Sequence, residues 1–139
     1  METLAAVKSE KNISIVQKAF ADFLSGDIGG ILEVCTEDIV WASYDNAVVP
    51  FGRTYHGKKG MAEFFTTLGS TVDYKTFEPR EYFADKDSVF ARGYQEATVK
   101  STGKTFAHDF LMHFRLEDGL VSYFFSFVDS KDEAEAFQS

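Results

Sequence analysis

Two side chains with complementary acid/base chemistry, His108 and Asp129, are brought together by the most legible turn in this chain. Asp118-Gly119 separates two alternating apolar runs, and both residue types tolerate the positive φ angles of a tight primed turn. Counting outward from that turn pairs Leu116 with Val121, Phe114 with Tyr123, Met112 with Phe125, Phe110 with Phe127 and His108 with Asp129, all on one sheet face. The face is apolar and aromatic until its far end, where an imidazole meets a carboxylate. Such a pair is suited to moving a proton, because imidazole changes charge close to neutral pH. A simpler duty competes for Asp129. It precedes a short helical pattern, so its carboxylate can be an N-cap worth ~1 kcal/mol, with His108 as a hydrogen-bonded neighbour.

The elements that must position this pair follow from periodicity. Residues 1–10 read as a loosely ordered lead-in, and Ile13, Val16, Phe20, Phe23 and Leu24 then recur at helical spacing. Ser9 or Asn12 can cap that helix and Gly26 can end it. Asp27 can cap a second, shorter helix whose stripe is Ile28, Ile31, Leu32 and Cys35. Cys35 reads as a small buried hydrophobe, since no neighbour in sequence would activate its thiol. A strand is predicted over Ile39 to Tyr44, then an irregular loop containing Pro50, Gly52 and Gly57. A third helix is predicted over Gly57 to Leu68, with Gly69 as its stop. Long strands follow over Lys75 to Ala84, Ser88 to Lys100, Lys104 to Leu116 and Leu120 to Val128. The last pattern, Asp129 to Phe137, is a short helix.

The register of the strands flanking Thr102-Gly103 is open. A two-residue loop sets Ala97 across from His108 and Gly93 across from Met112, whereas a three-residue loop with a bulge sets Glu96 beside His108 and draws Arg92 near. A one-residue slip reverses every side chain. His113 and Asp109 fall on the face opposite His108 in either case. Helices first and strands afterwards define an α+β class with a mostly antiparallel sheet.

Composition bounds the function. The 139 residues suit one domain, and an apolar content of 45%, including fifteen Phe, is enough to form a packed core. A net charge of −8 opposes long-range attraction to nucleic acid or to acidic membrane, so neither partner is expected. One cysteine excludes an internal disulfide framework. No run is apolar and long enough for a secretion signal or a membrane span, and a cytoplasmic location is the expectation. His56, His108 and His113 have no compact ligand spacing, and there is no phosphate loop or nucleophile elbow. Neither a metal nor a cofactor is expected.

The segment IVQKAFADFLSGDIGGILEVCTEDIVW, the spacing from Pro50 to Gly57-Lys-Lys-Gly60 before a Phe-rich helix, the Thr102-Gly103 turn and the closing EDGLVSYFFSFVD resemble the nuclear transport factor two-like superfamily, nearest its SnoaL-like and ketosteroid-isomerase-like branches. The resemblance spans about Ile13 to Phe137. It implies a cone, or cystatin-like roll, in which a curved sheet wraps an apolar cavity closed by the N-terminal helices, and a homodimer through the outer sheet face. The catalytic set of the ketosteroid isomerases does not carry over. Their helix Tyr corresponds to Ala19, their strand Asp to about Ser43, and their second Asp to the neighbourhood of Phe110 or Met112. In SnoaL-like cyclases an acid/base Asp follows an aromatic residue by four positions near the end of the last strand. Phe125 and Asp129 match that spacing, with Phe in place of the usual Trp.

The resulting expectation is a small apolar ligand in a closed cavity, with His108 and Asp129 as acid and base of an isomerase, cyclase or dehydratase type reaction. The walls expected are Trp41, Tyr44, Phe110, Met112, Tyr123, Phe125 and Phe127, and Tyr55, His56, Tyr94 and Gln95 are further polar candidates, His56 more simply at the surface. The alternative is a non-catalytic binding or dimerisation module whose interior is filled by its own Phe side chains. Cavity volume separates the two.

Overall fold

The computed structural model describes residues 3–139. Helix α1 (Leu4–Ser25) starts two turns earlier than its apolar stripe suggests, because the Thr3 hydroxyl accepts from Ala6 N–H and caps it there. Of the lead-in read from sequence over residues 1–10, residues 4–10 are therefore its first turns, and residues 1 and 2 lie outside the described residues. Gly26 ends it in the left-handed conformation, at φ 79°. Asp27 then caps α2 (Ile28–Glu33) through Gly30 N–H. Cys35 is not on that helix. It opens strand β1 (Cys35–Ala42), almost fully buried, and burial pushes its thiol up to about 12.

Strand β2 (Thr54–His56) leads into α3 (Gly57–Thr71), which runs through Gly69 rather than stopping there. Four long strands follow: β3 (Val72–Asp85), β4 (Ser88–Val99), β5 (Thr105–Glu117) and β6 (Leu120–Phe127). Helix α4 (Ser130–Phe137) closes the chain. The strands form one six-stranded sheet in the order β2-β1-β6-β5-β4-β3, antiparallel except for the β1–β6 pair. The fold is α+β, with a curved, unclosed sheet covered on its concave face by the helices.

Alternation decides which residues meet the helices. On β4 the odd-numbered residues from Val89 to Val99 are buried, and on β5 Phe106, Phe110, Met112, Phe114 and Leu116 are. Phe20 of α1 packs its ring against Phe77 and Tyr82 of β3 and Phe110 and Phe114 of β5, which ties the first helix to two strands. Each fully buried aromatic or aliphatic side chain of this kind contributes roughly 1.5–3 kcal/mol of transfer free energy. Gly93 is required by close approach. A Cβ there would lie 2.2 Å from Glu78 O and 2.4 Å from the Phe110 ring.

Two register expectations are corrected. Asp118 and Gly119 do form the tight turn, at φ 49° and 80°, and Leu116 does pair with Val121. Beyond that pair Ser122 is an extra residue on β6, so Arg115 faces Tyr123 and Phe114 faces Phe124. The bulge turns Phe124, Ser126 and Val128 toward the interior and leaves Tyr123, Phe125 and Phe127 on the outer face. At the other end of β5 the loop is four residues long, because Val99 pairs with Lys104. Gln95 thereby lies opposite His108, and neither Ala97 nor Glu96 does. Arg92 and Glu96 are on the outer face.

Candidate functional site

The concave face of the sheet and the helices border a partly open cavity of about 80 Å³. Its walls are mostly aromatic: Phe20 and Phe23 come from α1, Phe64 and Phe65 from α3, Phe77 from β3 and Phe114 from β5. Trp41, the only tryptophan, stacks on Phe124 with ring centroids 3.8 Å apart, and its buried Nε1 has no hydrogen-bond partner among the described residues. It is both core filler and cavity wall. Of the other expected wall residues, Tyr44 and Met112 border the cavity. Phe110 is buried beside it, stacked on Phe77 at 5.0 Å. Tyr123, Phe125 and Phe127 do not line it, for the bulge described above carries them outward, and Phe127 is 51% exposed.

Polar groups gather where α4 meets the cavity. Glu133 is 4% exposed, and the Tyr44 hydroxyl donates to its Oε1 at 2.8 Å. Burial pushes the Glu133 carboxyl up to about 7; the Tyr44 hydrogen bond and the nearby His108 counteract part of that rise, and Asp132 adds to it. Tyr44 and Tyr74 also border the cavity. Burial first, and then the Glu133 charge, hold both phenols protonated well above the usual tyrosine range. The site thus combines a carboxyl that titrates near neutrality with two hydroxyls that remain donors. That is the equipment of a general acid/base next to an apolar substrate.

His108 faces inward, as its strand position requires, but its carboxylate partner is not Asp129. Its Nδ1 lies 2.8 Å from Asp132 Oδ2, and its Nε2 lies 3.0 Å from Gln95 Nε2. The same Asp132 oxygen accepts Ala107 N–H at 3.0 Å. Asp129 is the N-cap of α4, accepting from Asp132 N–H at 3.0 Å. The two residues are neighbours in the fold without being a hydrogen-bonded dyad. The physical cause is the bulge, which slips β6 by one residue, together with the cap, which commits the Asp129 carboxylate to the helix.

Gln95 is 2% exposed and borders the cavity, while His56 is exposed beside Arg53 and Lys59. Tyr55 is core, packed edge-on against Phe64, and Tyr94 faces outward. Ala19, Ser43 and Met112, aligned above with the isomerase catalytic positions, all border the cavity and carry no acid. Glu133 was not found from sequence. It belongs to the charged run Lys131-Asp132-Glu133, and its only local signal is spacing: three residues before Ala136 puts it on that residue's helix face. Among the described residues no set of three His, Cys, Asp or Glu side chains converges as metal ligands. No helix among them is long and apolar enough to cross a membrane.

A curved sheet folded over such a cavity is the architecture of the nuclear transport factor two-like proteins, and solved structures agree. One from Burkholderia xenovorans LB400, an NTF2-like protein, superposes with a TM-score of 0.86 at 28% identity, over 94% of this chain and 98% of that one. An NTF2-like protein from Burkholderia thailandensis E264 gives 0.83 at 25% identity, over 92% and 98%. TerC, co-crystallised with polyporic acid, gives 0.81 at 25% identity, over 93% and 99%. The family model of the SnoaL-like domain matches residues 16–124, and the chain belongs to that family. No curated protein matches the sequence.

Proposed function

We propose that this SnoaL-like protein binds a small apolar molecule in the cavity and performs acid/base chemistry on it, of the isomerase, cyclase or dehydratase type, with Glu133 as the group that exchanges the proton. The observation that carries this reading is a carboxyl buried in the wall of an aromatic cavity, with a pKa of about 7 and a phenol hydrogen-bonded to it. At that value both protonation states are populated near neutral pH, which suits a group that must take and return a proton. Tyr44 orients the carboxyl. Of the pair expected from sequence, His108 contributes from behind Gln95 and Asp129 by holding α4, which carries Glu133. The likeness to TerC supports a small organic ligand.

Exchange of the α-protons of 2-tetralone in D2O, followed by NMR, tests the chemistry without knowledge of the natural substrate. The protein should accelerate exchange, Glu133→Gln should slow it by about 10²–10⁴-fold, and Asp129→Asn, which keeps a capping oxygen, should not. Exchange at the wild-type rate in Glu133→Gln, or its loss in Asp129→Asn with Glu133 intact, would overturn the assignment.

A second reading is favoured by the size of the cavity. A volume of about 80 Å³ is below the several hundred Å³ usual for drug-sized ligands, as expected of a non-catalytic binding or dimerisation module with an interior filled by Phe side chains. Under either reading we propose a homodimer through the outer sheet face. Its support is an aromatic row, one residue per strand from β3 to β6, made by Phe83, Phe90, His113 and Phe125. Exposed Leu111 and Phe127 lie beside the row as a cross-strand pair. We also propose a cytoplasmic location, on the sequence reading alone.

A further inference from the structure

Behind the cavity wall, a chain of three side chains leads from solvent to the ligand space: Asp132, His108 and Gln95. Its hydrogen-bond polarity can be worked out from the outer end. Asp132 Oδ2 already accepts Ala107 N–H, and an ionised carboxylate has only acceptors, so His108 Nδ1 must donate to it. A neutral imidazole with its proton on Nδ1 presents Nε2 as an acceptor. Gln95 lies 3.0 Å from Nε2, and only its NH2 group can donate there. In that neutral form the amide is held with its nitrogen toward His108. Its carbonyl oxygen, Oε1, is then turned away from His108, on a side chain that is 2% exposed and borders the cavity.

We propose that Asp132 and His108 clamp the Gln95 amide so that its carbonyl oxygen accepts a hydrogen bond from the ligand, which makes Gln95 a specificity-determining residue for a small aromatic or alicyclic molecule bearing a hydroxyl. This rests on the ligand-binding reading of the cavity and deepens it. The polar end of the cavity then offers an acceptor on Gln95 alongside the hydroxyl donor of Tyr74, the Tyr44 proton being held by Glu133. A ligand with a hydroxyl near a carbonyl can satisfy both kinds of group, whereas a pure hydrocarbon leaves them unpaired. His108 and Asp132 act through Gln95 and are positioning residues.

The test compares p-cresol with toluene, which differ by one hydroxyl, using the single Trp41 indole N–H resonance to report occupancy by NMR titration. In Gln95→Met, which keeps length and removes the acceptor, p-cresol affinity should fall about five- to tenfold while toluene affinity holds. His108→Phe, which keeps a ring and frees the amide, and Asp132→Ala should each lower p-cresol affinity by a smaller factor, again with toluene unaffected. Toluene binding in every variant is the control for an intact cavity. An unchanged p-cresol affinity in Gln95→Met overturns the proposal, and an unchanged one in His108→Phe overturns the clamp. If neither compound shifts the indole resonance of the wild-type protein, the ligand-binding reading fails and this one with it; if both bind and the variants do not discriminate, this one fails alone.

Discussion

At the scale of the residue, Glu133 links the cavity to stability. Its carboxyl rises from 4.5 to about 7 on folding, chiefly through burial. The unfolded chain releases that proton at the lower pH, so between about 4.5 and 7 the folded state binds more protons and stability falls as pH rises. The group's contribution is most favourable below 4.5, is lost through that window and is level above it. The full loss corresponds to roughly 3 kcal/mol. Glu133→Gln imitates the protonated form and keeps an acceptor for Tyr44. Urea unfolding of both proteins at a series of pH values should therefore show the variant gaining on the wild type from pH 4.5 upward and holding its advantage above pH 7. Parallel curves would mean that the carboxyl titrates normally.

At the scale of the element, the site is aimed by irregularities in regular strands. The Ser122 bulge decides which aromatics of β6 face the cavity, and the four-residue loop after β4 decides that Gln95 meets His108. Register shifts in β3 on either side of Phe77 and Glu78 accompany the bend of the sheet around the interior. Gly93 sits at that bend, pressed between Glu78 O and the Phe110 ring. Gly93→Ala should cost about 1–3 kcal/mol by overpacking, measured as a lower denaturant midpoint. A neutral result would show that β3 can move off β4 without penalty. Helix α4 depends on side chains from the same loop: the Thr102 hydroxyl donates to Ala136 O at 2.6 Å and Lys104 Nζ to Gln138 O at 2.5 Å. Those bonds hold the helix that delivers both Glu133 and Asp132.

At the scale of the whole molecule, the helices cover only the concave face, and the convex face carries Phe83 at 53% and Phe127 at 51% exposure. His113 lies within this surface, stacked on Phe90 at 4.4 Å, and burial, with the nearby Arg115 charge, lowers its tendency to protonate. The proposed interface between two copies would cover these exposed aromatic side chains on the convex face. Sedimentation of the wild-type protein at tens of micromolar should give a dimer, and Phe127→Glu should give a folded monomer. A monomeric wild type would exclude this interface.

What the sequence determined by itself is what local physics controls. Gly26 and Asp27 end one helix and start the next, Asp118-Gly119 makes its turn, and the even-numbered residues of β5 face inward with His108 among them. Caps, turns and alternation are written in neighbouring residues, so they can be read without the fold. The order of these elements also carried the α+β class and the resemblance to the SnoaL-like family. The partner of His108 was beyond that reach, because one extra residue at Ser122 reverses a strand and no local rule distinguishes a bulge in SYFFSF from plain alternation. Glu133 was less legible still. In sequence it is one acid in a charged run, and it becomes a buried titrating group only when α4 docks through Thr102, Ala107 and Tyr44, residues 25 to 89 positions away from it or its helix neighbours. Its environment is assembled from distant parts of the chain, and so its chemistry was decided by tertiary structure alone.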